Sequence, residues 1–296
     1  MLFEAYSRPR LAWDLLVDAY ARPRPRVHHG PLVTVVIAAY NRSEVLRHAL
    51  ASVLRQTYGE LEVLVIGDAC TDDSGEVVES FRDRRVSWIN LPSNTGSQTG
   101  PNQVGLERAR GELIAYLGQD DLWRRDHVAL LVGHWQASGA EVVSSVVEHV
   151  WPGALGARRF DSTPPRGHVV PSSLMHERAA GLRAGGWIDH RLTVGLPDVD
   201  FVIRMLESAT YSRVHALSVV KFASAQRPGS YVARLDDEQA RWSRRIDRRA
   251  FVARAVASAA LRVPLRPWSP QTKLSDEART VPGAAIRELR HVRGLE

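Results

Sequence analysis

The feature that most constrains this chain is an alternation between residues 32 and 117, where short runs rich in β-branched residues exchange with segments of helical periodicity. LVTVVIA, residues 32–38, is apolar at successive positions, as a strand buried on both faces must be. Val45, Leu46, Ala49, Leu50, Val53 and Leu54 then recur at helical spacing, with Asn41 and Glu44 three apart in the manner of a capping box. LEVLVIG, residues 61–67, predicts a second buried strand, followed by a helix over 73–81 and a third strand, VSWINL, over 86–91. Pro101 opens a helix through Ala109, and ELIAYL supplies a fourth strand ending at Leu117. Strands alternating with helices imply an α/β fold, a mainly parallel sheet covered on both faces. Ligands of such sheets bind beyond the carboxyl ends of the strands. Segments 38–41, 67–73 and 118–121 fall there.

The second half is less regular. A helix is expected over 124–138, a strand over 141–147, a loop rich in Pro, Gly and Arg over 151–167, and a turn at GGWID, residues 185–189. A helix over 197–206 and a strand over 214–222 follow. Residues 236–261 predict a basic helix with Trp242, Ile246, Ala250, Ala253 and Val256 on one face, and the Pro-rich end beyond Pro264 reads as partly irregular. At the other end, Leu11, Leu15, Leu16 and Ala19 outline a helical arm joined by the stiff basic linker RPRPRVHHG.

Composition narrows the class. With 44% hydrophobic and 24% charged residues among 296, the chain has the profile of a soluble globular protein. Its net charge of +6 suits anionic partners: nucleotide phosphates, nucleic acid or an anionic membrane face. Nucleic acid is not expected, because charge alone favours it and no aromatic-and-basic motif accompanies the charge. Cys70 is the single cysteine, which excludes an intramolecular disulfide. The start lacks the apolar run of a signal peptide and no stretch approaches the ~18 apolar residues of a membrane span, so a cytoplasmic protein is expected.

Five acidic positions stand out. Asp120 and Asp121 follow the fourth strand, where paired carboxylates can hold Mg²⁺ or Mn²⁺ against diphosphate oxygens. The plainer reading is a helix cap or a solvated pair. Asp68 ends the second strand, placed to accept hydrogen bonds from a base or ribose; Asp72 and Asp73 read better as turn and helix-start residues. Asp198 and Asp200 lie at the start of a helix, where one can act as general base or both can simply favour the helix N-terminus. His176 and His215 read as ordinary polar residues, and Cys70 as loop filler.

Taken in order, three segments resemble the family-2 glycosyltransferases of the GT-A fold, over roughly residues 32–206. They are VTVVIAAYNRSEVLRHALASVLRQTYGELEVLVIGDACTDDS, NTGSQTGPNQVGLERARGELIAYLGQDDLW and GGWIDHRLTVGLPDVDFVIRML. The resemblance implies a GT-A domain over 32–231, with a nucleotide-sugar half (32–125) and an acceptor half (126–231), between the arm at 1–31 and a basic helical extension at 232–296. It implies that Ala39, Tyr40 and Asn41 border the nucleotide, Asp68 recognises base or ribose, and Asp120 is the second acid of the metal-binding D-x-D motif, helped by Asp121. It makes Asp198 the base, with Gly185, Gly186, Trp187 and Asp200 on the acceptor side. Gly118 stands where the first acid of D-x-D belongs, Gly67 where the first acid of the second-strand pair belongs, and Pro197 where a Glu normally precedes the base.

The implied activity is inverting transfer of a sugar from a nucleotide diphosphate donor to a hydroxyl of a saccharide, lipid-linked or small-molecule acceptor, assisted by Mn²⁺ or Mg²⁺. A non-catalytic sugar-nucleotide binder, or less plausibly a nucleotidyltransferase, is the alternative. The arginines beside Trp242 and Phe251 offer peripheral contact with the inner face of a membrane, although packing on the body of the protein is the favoured role of that helix. Arg158, Arg159 and Arg166 could face an anionic acceptor, or a solvated loop.

Overall fold

The computed structural model describes residues 30–150, 158–160, 169–222, 229–231, 237–247 and 275–295. The expected N-terminal arm, most of the basic helix with Phe251, and Arg166 lie outside the described residues.

The frame is one nine-stranded sheet. Its first strands are β1 (Val33–Ala39), β2 (Leu61–Gly67), β3 (Val86–Asn90) and β4 (Leu113–Gly118). The rest are β5 (Leu122–Trp123), β6 (Val142–Val150), β7 (Arg158–Phe160), β8 (Leu174–Glu177) and β9 (Tyr211–Phe222). The order is β3-β2-β1-β4-β8-β6-β9-β5, with β7 on β6. β3, β2, β1 and β4 are mutually parallel, as expected. β8 then pairs antiparallel with both β4 and β6, and β9 runs parallel to β6. The sheet thus crosses from one half of the chain to the other without a break.

Alternation along β1 explains the layers. Val33, Val35 and Ile37 face one core with Leu46, Leu50 and Val53 of α1 (Ser43–Leu54) and Leu131 of α4 (His127–Ser138). Val36 faces the other, with Tyr116, Leu106 of α3 (Thr99–Arg108), and Phe201 and Met205 of α6 (Pro197–Leu206). Gly105 lets α3 approach β1 closely: a Cβ there would stand 2.3 Å from Val36 Cγ1. Two short helices, α2 (Ser74–Glu79) and α5 (Arg178–Arg183), complete the flanks.

Several expectations are corrected. The Asn41/Glu44 capping box does not form: α1 begins at Ser43, and its first N–H donates to Asp72 Oδ2 at 3.1 Å. Asn41 instead adopts a left-handed backbone, φ 41°, and its Oδ1 accepts the N–H groups of Thr71 (2.8 Å) and Asp72 (3.3 Å). α3 starts two residues ahead of Pro101. Of the basic helix, α7 (Asp237–Ser243) is described. The C-terminus is more regular than expected, with α8 (Asp276–Thr280), capped by Ser275, and α9 (Ala284–Arg293), entered through Gly283 at φ 77°. No helix among the described residues is long and apolar enough to cross a membrane.

Candidate donor and acceptor site

The carboxyl ends of β1, β2 and β4 lie side by side, because Ala39 pairs with Gly67 and Ala38 with Gly118. The turns that leave them are stitched together. Gln119 Oε1 accepts the Tyr40 N–H at 2.8 Å, and Gln119 Nε2 donates to the Tyr40 carbonyl at 3.3 Å, extending the β1–β4 ladder by one side-chain rung. Gln119, the middle residue of the G-Q-D stretch 118–120, is therefore structural, a role the motif alone did not reveal.

Asp68 is buried, and its Oδ1 accepts both the N–H (2.7 Å) and the hydroxyl (2.8 Å) of Thr95. Asn94 Nδ2 donates to the Asp68 carbonyl at 2.9 Å. This carboxylate thus orders the loop between β3 and α3 at the mouth of the site. Burial pushes its pKa up, against the hydrogen bonds from Thr95. Gly67 makes sense beside it: a Cβ there would meet the Trp88 ring and Asn90 Oδ1, each at 2.5 Å, so no acid fits.

Asp120 and Asp121 diverge. Asp121 is fully buried; its carboxylate accepts from Ser172 Oγ (2.5 Å), Lys221 Nζ (3.0 Å) and the Phe222 N–H (3.0 Å). Its expected role as a metal ligand is corrected, since both oxygens are engaged inside the protein. It also explains Gly118, whose Cβ would stand 2.9 Å from Asp121 Oδ2. Asp120 keeps 13% side-chain exposure and faces Arg42, whose Nη1 lies 3.4 Å from its Oδ2. Lys221, one of only two lysines, was not singled out from sequence. Burial opposes its charge, but Asp121, Asp120 and Asp198 outweigh that and hold its pKa above the ordinary lysine value.

The acceptor-side residues sort differently. Gly185 and Gly186 take left-handed backbones (φ 79° and 66°), forming the expected turn. Trp187 is corrected from a lining residue to a packing one: it is 4% exposed and stacks on Phe201 with ring centroids 4.6 Å apart. Asp200 likewise binds its own helix neighbour Arg204 at 2.9 Å, and Arg204 Nη2 donates to the Gly186 carbonyl at 2.8 Å. Asp200 thus holds the turn and is not aimed at a ligand. His176 is buried against Tyr116, Nε2 to hydroxyl 3.2 Å, and burial takes its pKa down to about 4.

No group of three His, Cys, Asp or Glu side chains able to hold a metal ion lies among the described residues, so an ion here would rest on fewer protein ligands, with the partly exposed Asp120 as the candidate. Ions of the magnesium type accept one or two carboxylates when substrate phosphates and water complete the shell. Asp120 meets that minimum.

The mixed sheet, parallel through β3, β2, β1 and β4 and flanked by helices, has a GT-A architecture. Solved structures agree in fold: Staphylococcus aureus TarS 1–349 in complex with UDP-GlcNAc aligns at TM-score 0.58 and 15% identity, covering 89% of this chain and 90% of that one. The mannosyltransferase PcManGT from Pyrobaculum calidifontis, in complex with GDP-Man and Mn²⁺, aligns at TM-score 0.53 and 15% identity, over 98% of this chain and all of that one. Residues 34–163 match the family model described as Glycosyl transferase family 2. Among curated relatives, the putative teichuronic acid biosynthesis glycosyltransferase TuaG of Bacillus subtilis is 32% identical over 98 residues, which is 32% of this chain and 38% of that protein. The Escherichia coli UDP-Glc:α-D-GlcNAc-diphosphoundecaprenol β-1,3-glucosyltransferase WfaP is 34% identical over 92 residues, 31% of this chain and 36% of its own length. The matched segments thus span less than two fifths of these relatives.

Proposed function

We propose that the protein transfers a sugar from a nucleotide diphosphate donor to an acceptor hydroxyl, with inversion, in the synthesis of a polysaccharide, glycolipid or other glycoconjugate. The observation that supports this reading is the adjacency of Tyr40, Asp68 and Asp120 at neighbouring strand tips, where Ala39 pairs with Gly67 and Ala38 with Gly118. The domain match and relatives named for sugar transfer support it. Asp198 would remove the acceptor proton as the hydroxyl attacks the anomeric carbon, a contribution of typically ~10²–10⁴-fold. The sugar passes through an oxocarbenium-like state, as in glycoside hydrolysis. Arg42 and Lys221, paired with Asp120 and Asp121, would meet the negative charge that accumulates on a departing diphosphate. Mn²⁺ or Mg²⁺ at Asp120, when bound, would supply further charge neutralisation there.

Names of relatives and neighbours mention UDP-Glc, UDP-GlcNAc and GDP-Man, so uridine and guanosine donors are the first to test. Thermal-shift titration with UDP-, GDP-, dTDP- and CDP-sugars, with and without Mn²⁺, tests the reading. A donor that stabilises the protein, followed by transfer to an acceptor, supports it; no response to any of the donors argues for a non-catalytic protein.

A further inference from the structure

The C-terminal helix α9 is fastened around the proposed donor site at several points. At its start, the Gly283 N–H donates to the carbonyl of Thr193, five residues before Asp198, at 3.0 Å. Further along, Arg290 Nη1 donates to the Gly96 carbonyl at 3.1 Å, in the loop that Asp68 orders. At its end, the Gly229 N–H donates to the Val292 carbonyl (3.0 Å) and the Tyr231 N–H to that of Arg293 (3.3 Å). Tyr231 in turn belongs to the strand tips: its hydroxyl accepts from Gln119 Nε2 at 3.1 Å, and its ring lies 6.0 Å from that of Tyr40. Arg42 lies over the same ring, 5.4 Å from the centroid.

These contacts bring together two arginines with donors to spare. Arg42 is 5% exposed, and its buried Nε has no hydrogen-bond partner among the described residues. Nε of Arg293 is buried and unpartnered in the same sense. Tyr231 joins the two, since Arg42 lies over its ring, 5.4 Å from the centroid, and the Tyr231 N–H donates to the Arg293 carbonyl at 3.3 Å. Asp120 lies against Arg42, its Oδ2 3.4 Å from Nη1. Buried guanidinium groups are costly unless a charge-matched acceptor meets them, and their planar fork suits phosphate oxygens.

We propose that α9 is part of the donor site, with Arg293 joining Arg42 to grip the diphosphate of the nucleotide sugar. This rests on the glycosyltransferase reading above. A helix of the C-terminal extension would then set donor affinity, through a residue outside the segment that matches the family.

Equilibrium binding of UDP, GDP, dTDP and CDP, and of the matching nucleosides, to the full chain tests this with Arg293→Gln and Arg293→Lys. For the diphosphate that the wild type binds, Arg293→Gln is expected to lose roughly 10- to 100-fold in affinity, the scale of one charge-assisted contact. Its nucleoside binding should stay within about twofold, with Arg293→Lys intermediate for the diphosphate. A melting temperature like the wild type confirms that the variants fold; should Arg293→Gln melt early, Arg293→Lys with its retained charge carries the comparison. Diphosphate affinity unchanged in the variants, or lost equally with that of the nucleoside, overturns the inference while leaving the enzyme reading intact. If the wild type binds none of the diphosphates, the glycosyltransferase reading falls, and this inference with it.

Discussion

Asp120 and Asp121 are neighbours in sequence and opposites in environment. Asp121 is enclosed by Ser172, Lys221 and the Phe222 amide, whereas Asp120 retains a path to solvent. Removing the first therefore leaves Lys221 without its partner, and Asp121→Asn is expected to cost about 2–4 kcal/mol. That lies below the figure for fully buried pairs because Lys221 keeps 28% exposure. Calorimetry should register a fall in Tm of roughly 5–10 °C. Asp120→Asn, which keeps an oxygen to face Arg42 across the longer 3.4 Å contact, should lower Tm less than Asp121→Asn and should lose Mn²⁺-dependent donor affinity. The reverse pattern would mean that the two roles are exchanged. The resemblance ranked Asp120 ahead of Asp121 as a ligand, but the burial of Asp121 was not legible in the sequence; it goes with Gly118, whose missing side chain leaves room for Asp121 to turn inward.

At the scale of elements, the parallel half was readable because its strands are buried on both faces. β2 and α6 fall where the periodicity places them, residue for residue. What escaped were pieces too short to carry a period: β5 has two residues and β8 four, and both exist through their partners β9 and β4. The C-terminal helices escaped for another reason, since the prolines at 264, 267 and 270 overshadowed the start at Ser275 and the glycines at 283 and 294 that bound α9. Close packing between elements gives a direct test. In Gly105→Ala the added methyl must displace Val36 in the core, which should cost about 1–3 kcal/mol. A urea midpoint equal to that of the wild type would show that α3 can slide on β1.

The whole molecule should also report on its buried histidines. Burial holds His127 down to about 3 and His176 to about 4, from an ordinary value near 6.5. Both stay neutral in the native state while the unfolded chain takes up protons below pH ~6.5, so their contribution to stability is complete above that pH and lost as acid increases. The slope is at most about 1.4 kcal/mol per pH unit for each histidine. Urea unfolding between pH 7.5 and 4.5 should show this decline, shallower in His127→Gln; a flat profile in the wild type would contradict it.

The same scale holds the site, because Asp198 comes from the second half of the chain and the strand tips from the first, joined by one continuous sheet. Turnover and donor affinity of Asp198→Asn, measured side by side with the donor that stabilises the wild type, test that arrangement most directly. The proposed base role predicts a rate lower by ~10²–10⁴-fold with donor Kd within a few-fold of the wild type. Unchanged turnover, or a loss of donor binding as large as the loss of rate, would contradict it.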